Sequence, residues 1–396
     1  MPARRRLVSR KQSEGRMAID RRTALVRMST TVAASTWPAL AGATGSPRGE
    51  QDPWPPVGGR RVRKIATEEA WSIPEVAEAV RDVVRQRGPS LDLKLLAQIY
   101  DAPPGTPPRF LPELLDVDTV RLAEMDASGV DMHLLSLTMP GVQMFEPDMG
   151  VALARLSNDR LSEIVRRHPT RLAGLASFAP QDPGAAAKEM ERAINTLKLN
   201  GFIVNSHTQG VYLDEPRSWP ILEAAEALGA PLYLHPRAPS DGMAAPFRDY
   251  RIEGAVWGYG VEAGTHAVRL MLSGVLDRFP RLRIVLGHMG EALPFWMWRL
   301  DFMGAPGARA AGRTNQLKPS EYFQRHFAIT TSGVEDPLAL RFCINKIGID
   351  SIMWAIDYPY QPTAPAVAFL ESAPLSDQER AQIAYRNAER IFRITE

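Results

Sequence analysis

The chain has 396 residues, 45% hydrophobic and 23% charged, the range of an ordinary globular protein with room for a large core. Its net charge of +2 hides an asymmetry: residues 1–27 hold nine Lys and Arg against Glu14 and Asp20, a local +7 that leaves −5 for the remainder. A mildly acidic body excludes a surface built for phosphate backbones, a single cysteine, Cys343, excludes an intrachain disulfide or a Cys-rich zinc module, and no apolar run is long enough to cross a membrane.

In the basic segment, Asp20-Arg-Arg-Thr-Ala-Leu-Val-Arg27 leads into a stretch rich in Ser, Thr and Ala that closes on Ala39-Leu-Ala41 and Ala41-Gly-Ala43. Paired arginines ahead of a small-residue cleavage site resemble a twin-arginine signal, so residues 1–43 are expected to direct export to the periplasm and to be removed. Met17 is a second candidate start. Were the segment only a basic tail, the protein would be cytoplasmic. Residues 44–61, rich in Gly and Pro, read as a linker, and residues 62–396 as one folded domain.

Within that domain, short apolar runs alternate with longer amphipathic ones. Eight strand candidates cover residues 64–68, 133–138, 172–179, 201–205, 231–235, 283–287, 327–331 and 352–357. Helical patterns lie between them at 151–167, 185–199, 219–228, 264–279, 292–302 and 337–347, and a further one follows at 376–392. Eight strand–helix units predict an α/β fold, a (β/α)8 TIM-type barrel with insertions after strands 1 and 5; the count alone leaves a doubly wound sheet as the alternative. The connections at 71–115, 236–262 and 303–325 are too long for turns, and the first two would wall a pocket at the carboxyl ends of the strands.

Polar residues recur where the apolar runs stop: Glu68, Thr138, His207, His235, His288 and Asp357. On a closed barrel these ends converge. Two carboxylates and up to three imidazoles at one spot form a divalent-metal constellation, because mixed oxygen and nitrogen donors suit Zn²⁺ or Mn²⁺ and leave positions open for substrate. His133, His168 and His326 lie away from those ends and read as structural. His266 sits in Gly264-Thr-His-Ala-Val-Arg269, read as the start of a helix, where Arg269 could grip a carboxylate bidentately.

The motifs Ala66-Thr-Glu-Glu-Ala70, Leu137-Thr-Met-Pro-Gly-Val-Gln143, Ala179-Pro-Gln-Asp-Pro183, Asn205-Ser-His-Thr-Gln-Gly210, Leu234-His-Pro236, Gly287-His-Met-Gly-Glu-Ala-Leu-Pro294 and Ala355-Ile-Asp-Tyr-Pro-Tyr360 occur in one order. Together they resemble the metal-dependent decarboxylase branch of the amidohydrolase superfamily, the 5-carboxyvanillate type more than the γ-resorcylate type. The resemblance runs from about Lys64 to the carboxyl terminus and does not cover residues 1–60.

It implies one divalent ion, Mn²⁺ or Zn²⁺, held by Glu68, His235 and Asp357, with His288 and its partner Glu291 orienting the metal-bound water or substrate. Many relatives have a histidine two residues after the first glutamate; here Ala70 stands there. The expected reaction is non-oxidative decarboxylation of a hydroxylated aromatic acid, with Asp357 protonating the ring carbon before CO₂ leaves. Arg269 and Arg109 would hold the substrate's anionic groups, Thr138 and Tyr360 would bond ring substituents, and His207 would complete the substrate-binding set. The alternative is a metal-dependent hydrolase of a lactone or amide, with Asp357 as general base. A third reading is an exported binding protein without turnover. The resemblance also implies a small aromatic acid as ligand and a homo-dimer or tetramer; neither nucleic acid nor stable membrane insertion is expected.

Overall fold

The computed structural model describes residues 61–86, 91–101 and 110–395. The export segment at 1–43, nearly all of the linker at 44–61, and Arg109 lie outside the described residues.

Eight parallel strands follow one another around a barrel in sequence order: β1 (Ile65–Trp71), β2 (Met132–Leu137), β3 (Leu172–Ser177), β4 (Gly201–Asn205), β5 (Leu232–His235), β6 (Ile284–Leu286), β7 (Phe327–Thr330) and β8 (Ile352–Met353). Their residues are buried on both faces, save for His235 at the end of β5, as a parallel sheet wrapped by helices requires. Ile65, Leu134, Leu175, Ile203, Tyr233, Val285, Ala328 and Met353 form a core distinct from the layer between strands and helices, and Phe392 near the carboxyl terminus packs into it. The fold is therefore the (β/α)8 barrel, and the doubly wound alternative is excluded by this order.

Two strands end differently from the sequence expectation. β1 continues past Glu68 to Trp71, with one extra residue between the pairs Ala66–His133 and Glu69–Leu135. Glu68 thus lies at a β-bulge, a feature that re-aims side chains, and not at a strand end. β8 leaves its ladder after Met353, because the next backbone donors find other partners: Trp354 N–H bonds Ile383 O at 2.9 Å, and Ile356 N–H bonds Glu69 Oε1 at 3.0 Å.

Helices Pro74–Gln86, Leu91–Tyr100, Leu111–Leu115 and Val120–Ser128 lie between β1 and β2, and short turns Asp241–Met243 and Ala245–Phe247 follow β5. The helix after them spans Gly258–Leu272, six residues earlier than its pattern predicts, so Gly264 is mid-helix and Arg269 is not near a helix start. Among the described residues no helix is long and apolar enough to cross a membrane.

Candidate active site

The site begins at the β1 bulge. Glu68 is 2% exposed, and its two oxygens have different fates. Oε2 accepts from Tyr233 OH at 2.5 Å, from Thr330 Oγ1 at 2.8 Å and from Ser332 Oγ. Oε1 has no hydrogen-bond partner among the described residues. A buried, orphaned carboxylate oxygen is costly unless something positive faces it.

Two imidazoles face it. His235 ends β5, where its Nδ1–H donates to Pro236 O at 2.8 Å; that bond fixes the tautomer and turns the Nε2 lone pair toward Glu68 Oε1, 3.6 Å away. His288 follows β6, with Nδ1 2.9 Å from Glu291 Oε1 and Nε2 3.8 Å from Glu68 Oε1 and 3.7 Å from Asp357 Oδ2. His288, Met289, Gly290, Glu291 and Ala292 all have positive φ, a left-handed turn that costs roughly 1–2 kcal/mol per non-Gly residue. The turn sets residues 288 and 291 side by side, which makes the imidazole–carboxylate pair. Asp357, beyond β8, is also left-handed, with φ 76°.

Glu68, His235 and Asp357 offer ligand atoms that all lie within 4.8 Å of one another. The orphaned Glu68 oxygen, the fixed His235 tautomer and the nearby Asp357 carboxylate make a donor set that fits one divalent cation. Burial alone would raise the Glu68 carboxyl, but His288, His235 and the Ser332 and Tyr233 hydroxyls hold it below the usual range. Burial pushes Asp357 up, and Glu68 adds to that against the pull of His288 and His235. Burial opposes a charge on His288, yet Glu68, Glu291 and Asp357 hold its imidazole well above the ordinary value.

The other expected site residues are placed unequally. Thr138 Oγ1 and Tyr360 OH are 2.6 Å apart, and Tyr360 lies three residues beyond Asp357. Arg269 is engaged elsewhere: its Nε and Nη2 bond Asp214 Oδ1 and Oδ2 at 2.8 and 3.0 Å, and its guanidinium stacks on Tyr212. The bidentate carboxylate expected of a substrate is supplied by the chain itself. At His207, Gly210 N–H donates to Nδ1 and Nε2 lies beside Ala238 O, both contacts at 3.1 Å. Arg109 lies outside the described residues.

Arg269, Asp214, Trp257 and Trp296 line a largely apolar cavity of about 730 Å³ that reaches His288 and Glu291. Trp71, by contrast, is core, 1% exposed. Sequence reasoning missed Tyr233, Thr330 and Ser332. The polar Thr330-Thr-Ser332 run closing β7 was a usable signal, whereas nothing local marks Tyr233.

A (β/α)8 barrel that gathers two carboxylates and an imidazole around one point, with a second imidazole beside them, defines a metal-dependent barrel enzyme. The chain belongs to the amidohydrolase family, whose model matches residues 107–394. The γ-resorcylate decarboxylase of Polaromonas sp. is 36% identical over 295 residues, 72% of this chain and 90% of that protein. The crystal structure of 5-carboxyvanillate decarboxylase from Sphingomonas paucimobilis is 54% identical with a TM-score of 0.82, covering 85% of this chain and all of that one. That of 5-carboxyvanillate decarboxylase from Novosphingobium aromaticivorans, solved with manganese and 4-hydroxy-3-methoxy-5-nitrobenzoic acid, is 36% identical with a TM-score of 0.82, covering 85% and 98%. These relatives are decarboxylases of hydroxylated aromatic acids.

Proposed function

We propose that this protein is a metal-dependent carboxy-lyase that removes CO₂ from a hydroxylated aromatic acid, with 5-carboxyvanillate the first substrate to test. The observation that carries the reading is the buried Glu68 Oε1, which lacks a hydrogen-bond partner and faces His235, with Asp357 in the same group. Glu68, His235 and Asp357 hold the ion in this reading, and manganese is the metal in the relative described above. When bound, it supplies a fixed positive charge that neutralises and orients a phenolic oxygen and an adjacent carboxylate.

The chain's own residues do the rest. In this reading the Asp357 carboxyl takes up a proton when the anionic substrate enters the closed pocket, which offsets the pull of the ion, and delivers it to the ring carbon bearing the carboxylate. A C–H bond forms there, the bond to the carboxylate then breaks, its electron pair returns to the ring, and CO₂ departs. His288, oriented by Glu291 and 3.7 Å from Asp357 Oδ2, steadies the spent carboxylate. Thr138 and Tyr360 pair with a ring substituent. The hydrolase alternative gains no support from these relatives.

The test is to incubate manganese-loaded protein with a panel of ortho-hydroxybenzoates and a lactone, following CO₂ and products by mass. Decarboxylation of at least one acid is expected; lactone opening with no CO₂ from any acid would overturn the reading. Export through residues 1–43 and self-association belong to the same proposal. Exposed Phe295, Trp296 and Phe302 on helix Leu293–Ala310 support self-association, because water-facing aromatics gain by burial against a second copy; light scattering that finds only monomer would refute it.

A further inference from the structure

Glu69, the neighbour of Glu68, is fully buried and has no place in the reaction just described. Its side chain does not join the metal group. Oε1 accepts from Ile356 N–H and Oε2 from Tyr358 N–H, both at 3.0 Å, and Oε1 also lies 3.3 Å from Glu68 N. The two well-formed bonds therefore grip the residues on either side of Asp357.

The surroundings tighten the same loop. Ala70 N–H bonds Tyr358 O at 2.7 Å. Arg121, also fully buried, donates to Ala70 O at 2.6 Å and places its guanidinium 4.4 Å from the Tyr358 ring centre. Asp357 itself is held at φ 76°, in the left-handed region that few non-glycine residues occupy, though Asp enters it more readily than most. The β1 bulge aims consecutive carboxylates at two tasks, Glu68 into the metal group and Glu69 onto the backbone that follows β8.

We infer that Glu69 is a positioning residue, which fixes the left-handed backbone at Asp357 and so sets where the Asp357 carboxylate stands. The inference rests on the proposed reading of Asp357 for its catalytic consequence, though not for the backbone effect itself. Thr67 supplies the control. It is buried on the same strand and its hydroxyl donates to Trp354 O at 2.8 Å, bonding β1 to the same segment after β8 but away from Asp357.

The experiment compares Glu69→Gln and Thr67→Val with the unaltered protein in thermal unfolding, in Mn²⁺ titration followed by electron paramagnetic resonance, in kcat and KM, and in metal-free crystal structures. Glu69→Gln keeps the shape but turns an amide donor toward one of the two N–H groups. Glu69→Asp, one methylene shorter, serves if the glutamine variant does not fold. The expected result is Mn²⁺ affinity lowered by ~10–100-fold, the usual scale for outer-sphere supports, with an altered manganese spectrum, a lower kcat and a displaced Asp357 carboxylate. Thr67→Val should lower the melting temperature while keeping Mn²⁺ affinity and spectrum. Unmoved Asp357 and unchanged Mn²⁺ affinity in the Glu69 variants would overturn the inference, as would an equal loss of affinity in Thr67→Val. If the unaltered protein binds no Mn²⁺, the metal reading fails instead, and Asp357 in the metal-free structures still decides the role of Glu69.

Discussion

Gly287 leaves room for the Glu68 carboxylate: a methyl group on its α-carbon would fall 2.6 Å from Oε1 and 2.7 Å from Oε2. Its φ of −71° is open to any residue, so glycine is needed here for close approach and not for turning. Gly287→Ala should therefore push the carboxylate off its three hydroxyl donors and lower Mn²⁺ affinity by ~10–100-fold. Calorimetric Mn²⁺ titration checks this, and unaltered affinity would show that the approach is not required.

Asp357→Asn keeps an oxygen for the metal but has no proton to cycle. We expect metal largely retained and decarboxylation reduced by ~100-fold or more, the scale of general-acid contributions. Single-turnover measurement with manganese verified by elemental analysis separates the two. Near-normal turnover would pass the proton to another donor, His288 first.

Tyr233 points inward from β5 and its hydroxyl donates to Glu68 Oε2, with Thr330 Oγ1 3.0 Å from it. Tyr233→Phe removes one of three donors to the carboxylate while conserving the ring. Mn²⁺ binding should weaken by ~10-fold, the low end for such supports, and a titration with no change would make the hydroxyl purely structural.

Two buried histidines set an acid limit on stability. Burial, with Arg269 and His207, lowers His266 to about 3, and burial with Arg121 and Arg171 holds His133 well below its ordinary value. Unfolding returns both to about 6.5, so the unfolded chain binds more protons below that pH. Their contribution is complete above pH ~6.5 and is lost as pH falls toward ~3. Melting temperatures at pH 7.5, 6 and 5 should decline, and His266→Gln should flatten the decline; an equal slope in the variant would assign it elsewhere.

Export makes a separate prediction, since residues 1–43 should be absent from mature protein in the native cell. Intact-mass measurement settles it, and a mature chain that retains Arg21 would refute the signal.

Much of this molecule could be read along the chain because strand-forming runs buried on both faces are continuous and apolar, and the polar residue that ends each run announces itself. That is why the eight strands, and the gathering of Glu68, His235, His288 and Asp357, could be anticipated, although Glu68 sits at a bulge within β1 and Asp357 beyond the end of β8. Contacts across the barrel were not. Arg269 meets Asp214 from 55 positions away, and Glu69 meets Tyr358 from 289. Such pairings depend on strand register and on which way each side chain turns, and a single extra residue in β1 resets both. The sequence alone determined which chemical groups would gather at the carboxyl ends of the strands. Whether a given carboxylate faces the metal group, grips a neighbouring backbone or neutralises an arginine followed from packing, because burial forces every charged group to take the partner its position leaves within reach.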